Sequence, residues 1–264
     1  MTDNIAQCPV TLAGKKGLII GIANQHSIAY GCAAAFKELG ADLAVTYLNE
    51  KSKSYVEPLA LQLGVSPEML FPCDVREEGE LEAVFEGIQQ KWGKLDFVLH
   101  SIAFAPREDL HGRLTDSSRD GFMMAMDVSC HSFIRVAHLA EPLMTRGGTL
   151  FAMTYYGAEK VVEHYNLMGP VKAALESCVR YLAFELGRKH IRVHAISPGP
   201  IKTRAASGID RFDELINKAA SKAPIQSLLS IEDVGRATAL MATDAAQLVT
   251  GETLYIDGGY HVVG

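Results

Sequence analysis

The stretch GLIIGIANQHSIAYGCAAAFKELG, residues 17–40, decides the fold. Its apolar run up to Gly21 reads as a short buried strand, and the segment from Ser27 onward reads as a helix with Ser27 at its N-cap. Between them lies a loop of small and polar residues. A helix that starts there aims unpaired N–H groups and its positive dipole end at an incoming phosphate. The loop lacks the middle glycine of the dinucleotide fingerprint and carries Asn24, Gln25, His26 and Ser27 instead. Gly21, the backbone of Ser27 and Ile28, and Gly31 would have to do its work. Taken alone, the loop fits a plain strand-to-helix turn equally well.

The rest of the chain decides between them. Apolar strand-like runs at about 17–21, 42–47, 69–73, 95–101, 148–154, 191–197 and 253–257 alternate with helical stretches near 28–39, 51–63, 77–92, 118–145, 165–188, 210–221 and 231–242. Parallel strands need crossover connections, so this alternation specifies an α/β fold. The expected architecture is a single Rossmann-like domain, a doubly wound seven-stranded parallel sheet with helices on both faces. At 264 residues, with no long linker, low-complexity tract or repeat, one domain (1–264) is expected.

Composition narrows the function classes. The formal charge of −6 argues against nucleic acid as the main partner. No run approaches the ~18 apolar residues of a membrane span, so no membrane insertion is expected. The opening MTDNIAQCPV has neither the basic region nor the apolar core of a signal peptide. Five cysteines, at 8, 32, 73, 130 and 178, show no paired spacing. They read as buried small residues in a reducing cytoplasm. His190 and His194 are four apart, but the strand between them spoils a helical ligand pair, and no metal site is expected.

Ligands of an open α/β sheet bind beyond the carboxyl ends of the strands. Several such ends carry small or polar residues here. Asp74 and Val75 follow the third strand, where the Asp74 carboxylate can accept from an adenine amino group. Ser101-Ile102-Ala103 closes the fourth strand, and ISPGPIKT (196–203), with Ile201 and Thr203, closes the sixth. Leu48 follows the second, with no aspartate to hold a ribose 2′-hydroxyl and no arginine to pair with a 2′-phosphate. Lys51 and Lys53 are near enough to attract such a phosphate. The expected cofactor is NADH, with NADPH possible.

The catalytic candidates lie in TYYGAEKVVEHYNLMGPVKAALE, residues 154–176. Met168, Val171, Leu175, Cys178 and Leu182 recur at helical spacing. Tyr165 and Lys172, seven apart, would share a face of that helix, and the lysine ammonium would lower the tyrosine pKa. Pro170 requires the helix to begin near Asn166 or Leu167.

On these motifs the chain resembles a short-chain dehydrogenase/reductase and, within that superfamily, the enoyl-acyl carrier protein reductases. The resemblance covers essentially the full length. Ordinary superfamily members carry a tyrosine four residues before the lysine, where this chain has Met168. The enoyl reductases use a tyrosine seven before it, matched by Tyr165, and a second one ten residues upstream in a YxGAE segment, matched by Tyr155. HSIAFAP (100–106), GPIKTRAASGI (199–209) and the terminal DGG (257–259) also match.

The resemblance implies reduction of the 2,3 double bond of a trans-2-enoyl thioester, on acyl carrier protein or coenzyme A, by a homotetramer. Tyr165 would hydrogen-bond the thioester oxygen, Lys172 would hold the cofactor ribose, and Tyr155 with Ala105, Ala205 and Ile209 would contact substrate. Residues 200–221 would form an apolar flap. The segment after SGI (Asp210, Arg211, Phe212, Asp213, Glu214) is acidic where relatives are often basic. Carrier docking would then fall to Arg204, Arg211, Lys218 and Lys222. His194 replaces a frequent asparagine. A carbonyl reductase, and a non-catalytic nucleotide sensor of the same fold, are the competing readings.

Overall fold

The computed structural model describes residues 10–203 and 212–263. Seven strands, β1 Lys16–Ile20, β2 Asp42–Tyr47, β3 Leu70–Pro72, β4 Phe97–His100, β5 Gly148–Met153, β6 Ile191–Pro198 and β7 Thr253–Ile256, form one sheet in the order β3-β2-β1-β4-β5-β6-β7. Every pairing is parallel. The central strands are apolar along their length because helices cover both faces. All seven expected strands are present, within two residues at most ends.

The helices are α1 Ile28–Glu38, α2 Glu50–Gln62, α3 Glu80–Trp92, α4 Arg107–His111, α5 Arg119–Met126, α6 Ser132–Ala140, α7 Met168–Leu186, α8 Phe212–Lys222 and α9 Ile231–Ala242. One layer contains α1 against α9, and the other contains α3, α6 and α7. Beneath α1, Phe36 lies 4.4 Å from Phe97 and 6.3 Å from Phe151, ring centroid to ring centroid.

The contact between α1 and α9 is made backbone to backbone. A Cβ on Gly31 would fall 2.3 Å from the Ile231 carbonyl oxygen, and one on Gly235 would fall 2.2 Å from the Gly31 oxygen. Gly31 therefore packs α1 on α9, whereas the fingerprint's third glycine serves helix–strand packing. At the far end of α9 the buried Arg192 guanidinium donates to the carbonyls of Met241, Ala242, Thr243 and Ala246. It satisfies acceptors that a helix C-terminus leaves open.

The single helix expected over 118–145 is instead broken. Between α5 and α6 the chain widens into a π-helical stretch, Asp127–His131, and a 3-10 turn, Glu141–Leu143, follows α6. The widened stretch grips the end of β4. The Ser129 hydroxyl accepts from the Phe104 N–H (2.9 Å) and donates to the Phe104 carbonyl (3.1 Å). Ser132 donates to the Val128 carbonyl, which leaves its oxygen to accept from His100 Nε2 at 2.7 Å. Such bulges often mark functional sites, and this one fixes the loop leading to α4.

Candidate active site

One cleft of about 380 Å³ opens at the carboxyl ends of β1, β4, β5 and β6. Its volume falls in the range of small-molecule sites.

On its β1 side, Gly21 has φ of 116°, and a Cβ there would come within 2.2 Å of the Ser101 carbonyl oxygen. Only glycine lets the first strand end this close to the fourth. Ser27 stands at the N-cap position, but its hydroxyl makes no cap bond. It accepts instead from the N–H groups of Ala23 (3.0 Å) and Asn24 (3.1 Å), tying down the loop. The opening N–H groups of α1 thus face the cleft uncapped by a side chain, as an anion site requires.

The opposite wall carries the reactive candidates. Lys172 is buried on α7 and donates to the Met153 carbonyl at 2.8 Å. Burial pulls its pKa down to about 8, partly countered by Cys130 and Glu176. Tyr165 precedes α7, in the turn before Met168, and does not lie on the helix. It reaches the lysine's side of the cleft through that turn, and Pro170 falls in the first helical turn, where it costs no hydrogen bond. Its ring meets Tyr155 edge-on, centroids 4.9 Å apart. Gly157 makes room for it: a Cβ there would sit 2.4 Å from Tyr165 Cδ1. Burial, then Tyr155 and Glu176, holds the Tyr165 phenol well above its ordinary pKa. Burial therefore prevails, and the net shift is opposite to the lowering expected from Lys172. Tyr165 is a neutral hydroxyl, suited to donate one hydrogen bond. Glu176, one turn beyond Lys172, accepts from the Thr154 hydroxyl at 2.7 Å, and burial raises its pKa.

Gly21, Ser27, Ile28, Ser101, Ile102, Ala105, Tyr155, Tyr165, Lys172, Ile201 and Thr203 all line this one cleft. Leu48, Asp74 and Val75 do not. Leu48 is half-exposed beyond β2. Asp74 is engaged by Arg76, whose guanidinium and backbone N–H both donate to it, and this pairing lowers its pKa. The carboxylate is thus not the free adenine acceptor expected. The Val75 carbonyl accepts from Arg135 at 2.7 Å. Ala205, Ile209, Arg204, Asp210 and Arg211 lie outside the described residues, as do the side chains of Phe212, Asp213 and Lys218. Glu214 and Lys222 are exposed on α8.

Sequence reasoning missed Phe104, Leu110, Met153 and Thr154 in the lining. Leu110 rides on α4, a helix too short to leave a periodic signal. Thr154 was visible as the residue before the paired tyrosines.

The cleft suits a nicotinamide dinucleotide: an anion-binding helix start, a glycine cradle, and a buried lysine beside a neutral tyrosine hydroxyl. Comparison with known proteins agrees. The family model described as Enoyl-(Acyl carrier protein) reductase matches residues 21–261. The chain is 48% identical to enoyl-[acyl-carrier-protein] reductase [NADH] 1 of Rhizobium meliloti (strain 1021) over 260 residues, which are 98% of this chain and 95% of that one. The Anaplasma phagocytophilum reductase, solved in complex with NAD, superposes with a TM-score of 0.91 at 47% identity, covering 96% of each chain. The Bacillus cereus reductase, solved with NADP+ and an indole naphthyridinone, gives 0.93 at 43% identity, covering 96% of this chain and 98% of that one. The chain belongs to the enoyl-acyl carrier protein reductase family.

Proposed function

We propose that this chain reduces the 2,3 double bond of trans-2-enoyl thioesters with NADH, in fatty-acid synthesis, with Tyr165 and Lys172 as its catalytic residues. The observation that carries the residue roles is their convergence with the Gly21–Ser101 cradle on one cleft. The cradle and the start of α1 would hold the pyrophosphate, and Lys172 would donate to the nicotinamide ribose. When bound, the nicotinamide supplies a hydride to the β-carbon of the substrate.

The chain's own task is to receive the charge that develops on the thioester oxygen. The Tyr165 hydroxyl, dry and neutral, donates to that oxygen, and one such preorganised donor is worth about 3–4 kcal/mol of barrier. Tyr155 packs against the Tyr165 ring and lines the acyl side of the cleft. Met168, where a ketone reductase would carry its tyrosine, lines the cleft without a proton to give. This supports enoyl over carbonyl reduction.

Three finer points belong to this reading. Enoyl-acyl carrier protein or enoyl-coenzyme A is the substrate, and the cytoplasm is the site of action. A homotetramer is the working form. Exposed Phe122 and Met123 on α5, Ile134 on α6, and Tyr181 and Phe184 on α7 offer an apolar surface that sister copies would cover.

The test is Tyr165→Phe, assayed by NADH oxidation with crotonyl thioesters and, separately, a 3-oxoacyl thioester. We expect kcat on the enoyl substrate to fall about 10²–10³-fold with NADH affinity unchanged. Full activity in the variant, or a wild-type preference for the 3-oxoacyl thioester, would overturn the reading.

A further inference from the structure

Tyr165 is carried by an unusual piece of backbone. His164 and Asn166, on either side of it, have φ of 64° and 38°. These left-handed conformations are costly for most side chains, and asparagine is among the few that tolerate them. The turn is closed by three bonds. The Tyr165 N–H donates to the Val162 carbonyl (3.1 Å), Met168 to Tyr165 (3.0 Å) and Gly169 to Asn166 (3.1 Å). Asn166 is thus the hinge between the phenol-bearing turn and α7, and its φ decides where the Tyr165 ring leaves the chain.

The side chain of Asn166 does something separate. Its Nδ2 donates to the Leu110 carbonyl oxygen at 3.1 Å, across 56 positions of sequence. Leu110 lines the cleft from α4. This amide therefore ties the turn that carries Tyr165 to the α4 side of the cleft.

We infer that Asn166 is a positioning residue with two separable tasks: its left-handed backbone aims Tyr165, and its amide fixes the Leu110 wall against which substrate is held. The inference rests on Tyr165 being the hydrogen-bond donor. The two tasks fall on different kinetic parameters. Misaiming the hydroxyl weakens an interaction made in the transition state and lowers kcat, whereas loosening the wall weakens binding and raises KM.

Three variants separate them, assayed as full-length enzyme with crotonyl-coenzyme A and NADH. Asn166→Ala removes both tasks and should lower kcat about tenfold, within the cost of a misplacement of a fraction of an ångström. Asn166→Gly restores the backbone freedom alone and should recover kcat to within about threefold. Asn166→Asp keeps a tolerant side chain but turns an acceptor toward the Leu110 oxygen. It should hold kcat while raising the KM for the thioester about fivefold, a shift shared by the glycine variant. NADH affinity and melting temperature should stay near wild type in Gly and Asp. If the alanine variant does not fold, Asn166→Ser, which also lacks the reaching amide and favours the left-handed region less than asparagine or glycine, takes its place against the same Gly and Asp variants.

Two results would overturn the inference. One is a glycine variant that folds yet has lost kcat as badly as alanine, and the other is an unchanged KM in both Gly and Asp. Tyr165→Phe run alongside keeps the two failures distinct. Wild-type kcat there removes the donor role itself, while a crippled Tyr165→Phe beside three normal Asn166 variants removes only the positioning role.

Discussion

Replacing Lys172 with methionine should make the protein more stable and unable to hold its cofactor, and both effects should depend on pH in opposite senses. The lysine is 5% exposed, with its pKa pulled from 10.5 to about 8 by burial. A shift of that size corresponds to about 3 kcal/mol of differential interaction between the two protonation states. The unfolded chain keeps its proton up to about pH 10.5, so the fold carries the full penalty of a buried ammonium below pH 8. As pH rises from 8 to 10.5 the unfolded state binds the extra proton, and the penalty disappears. Against Lys172→Met, the wild type should therefore melt roughly 6–12 °C lower at pH 7, with the gap closing by pH 10. Cofactor binding runs the other way. If the charged lysine is the form that holds the ribose, the Kd for NADH should rise about tenfold by pH 9 and about a hundredfold by pH 10. Nucleotide fluorescence titrations and thermal melts across pH 6–10, on both proteins, measure the two trends. Comparing the variants cancels the buried thiols and phenols, which titrate in the same range. A flat Kd in the wild type, or a methionine variant no more stable at pH 7, would refute the assignment of a cost-bearing buried lysine.

Two further outcomes follow from the geometry. Gly21→Ala should abolish NADH binding while leaving a folded protein detectable by circular dichroism, because its Cβ would press on the Ser101 carbonyl from a left-handed backbone. Normal affinity in that variant would remove the cradle from the cofactor site. His194 is fully buried, no hydrogen bond of normal geometry reaches either ring nitrogen, and burial with Arg192 nearby lowers its pKa to about 4. Below pH 6.5 the unfolded chain takes a proton that the fold refuses, so stability should fall as pH drops from 6.5 toward 4, by up to about 3 kcal/mol from this ring. His194→Asn should flatten that acid limb in urea titrations at pH 4–7, and an unchanged limb would assign it to other groups.

The strands were legible in the sequence because a sheet covered on both faces writes its burial as unbroken apolar runs, as in Phe97–His100 and Gly148–Met153. The cleft was legible because most of its lining follows from the ends of β1, β4, β5 and β6 and the start of α1. What escaped is what depends on distant partners. The break at Asp127–His131 is set by Ser129 and Ser132 reaching Phe104 and His100, and local propensity at 118–145 gives no hint of it. Tyr165 was placed on the correct side of the cleft for a mistaken reason, since a turn and not a helical face delivers it. The net shift at Tyr165 was read with the wrong sign because spacing reports proximity but not desolvation, and desolvation prevails. Asp74 was read alone, when Arg76, two residues on, already occupied it.

The contact between α1 and α9 has a consequence for how this family's sequences can drift. Where a glycine is hemmed in by a side chain, as Gly17 is by the Phe97 ring 2.1 Å from a hypothetical Cβ, a second substitution that shrinks the neighbour can reopen the space. Gly31 is hemmed in by the Ile231 carbonyl and Gly235 by the Gly31 carbonyl, main-chain groups that every residue carries. No replacement elsewhere can create that room, so a methyl group at either position can be absorbed only by moving a whole helix. The helix that would move is the one whose start faces the cleft. Suppressor selections should then rescue an alanine at 17 but recover only true revertants from an alanine at 31 or 235.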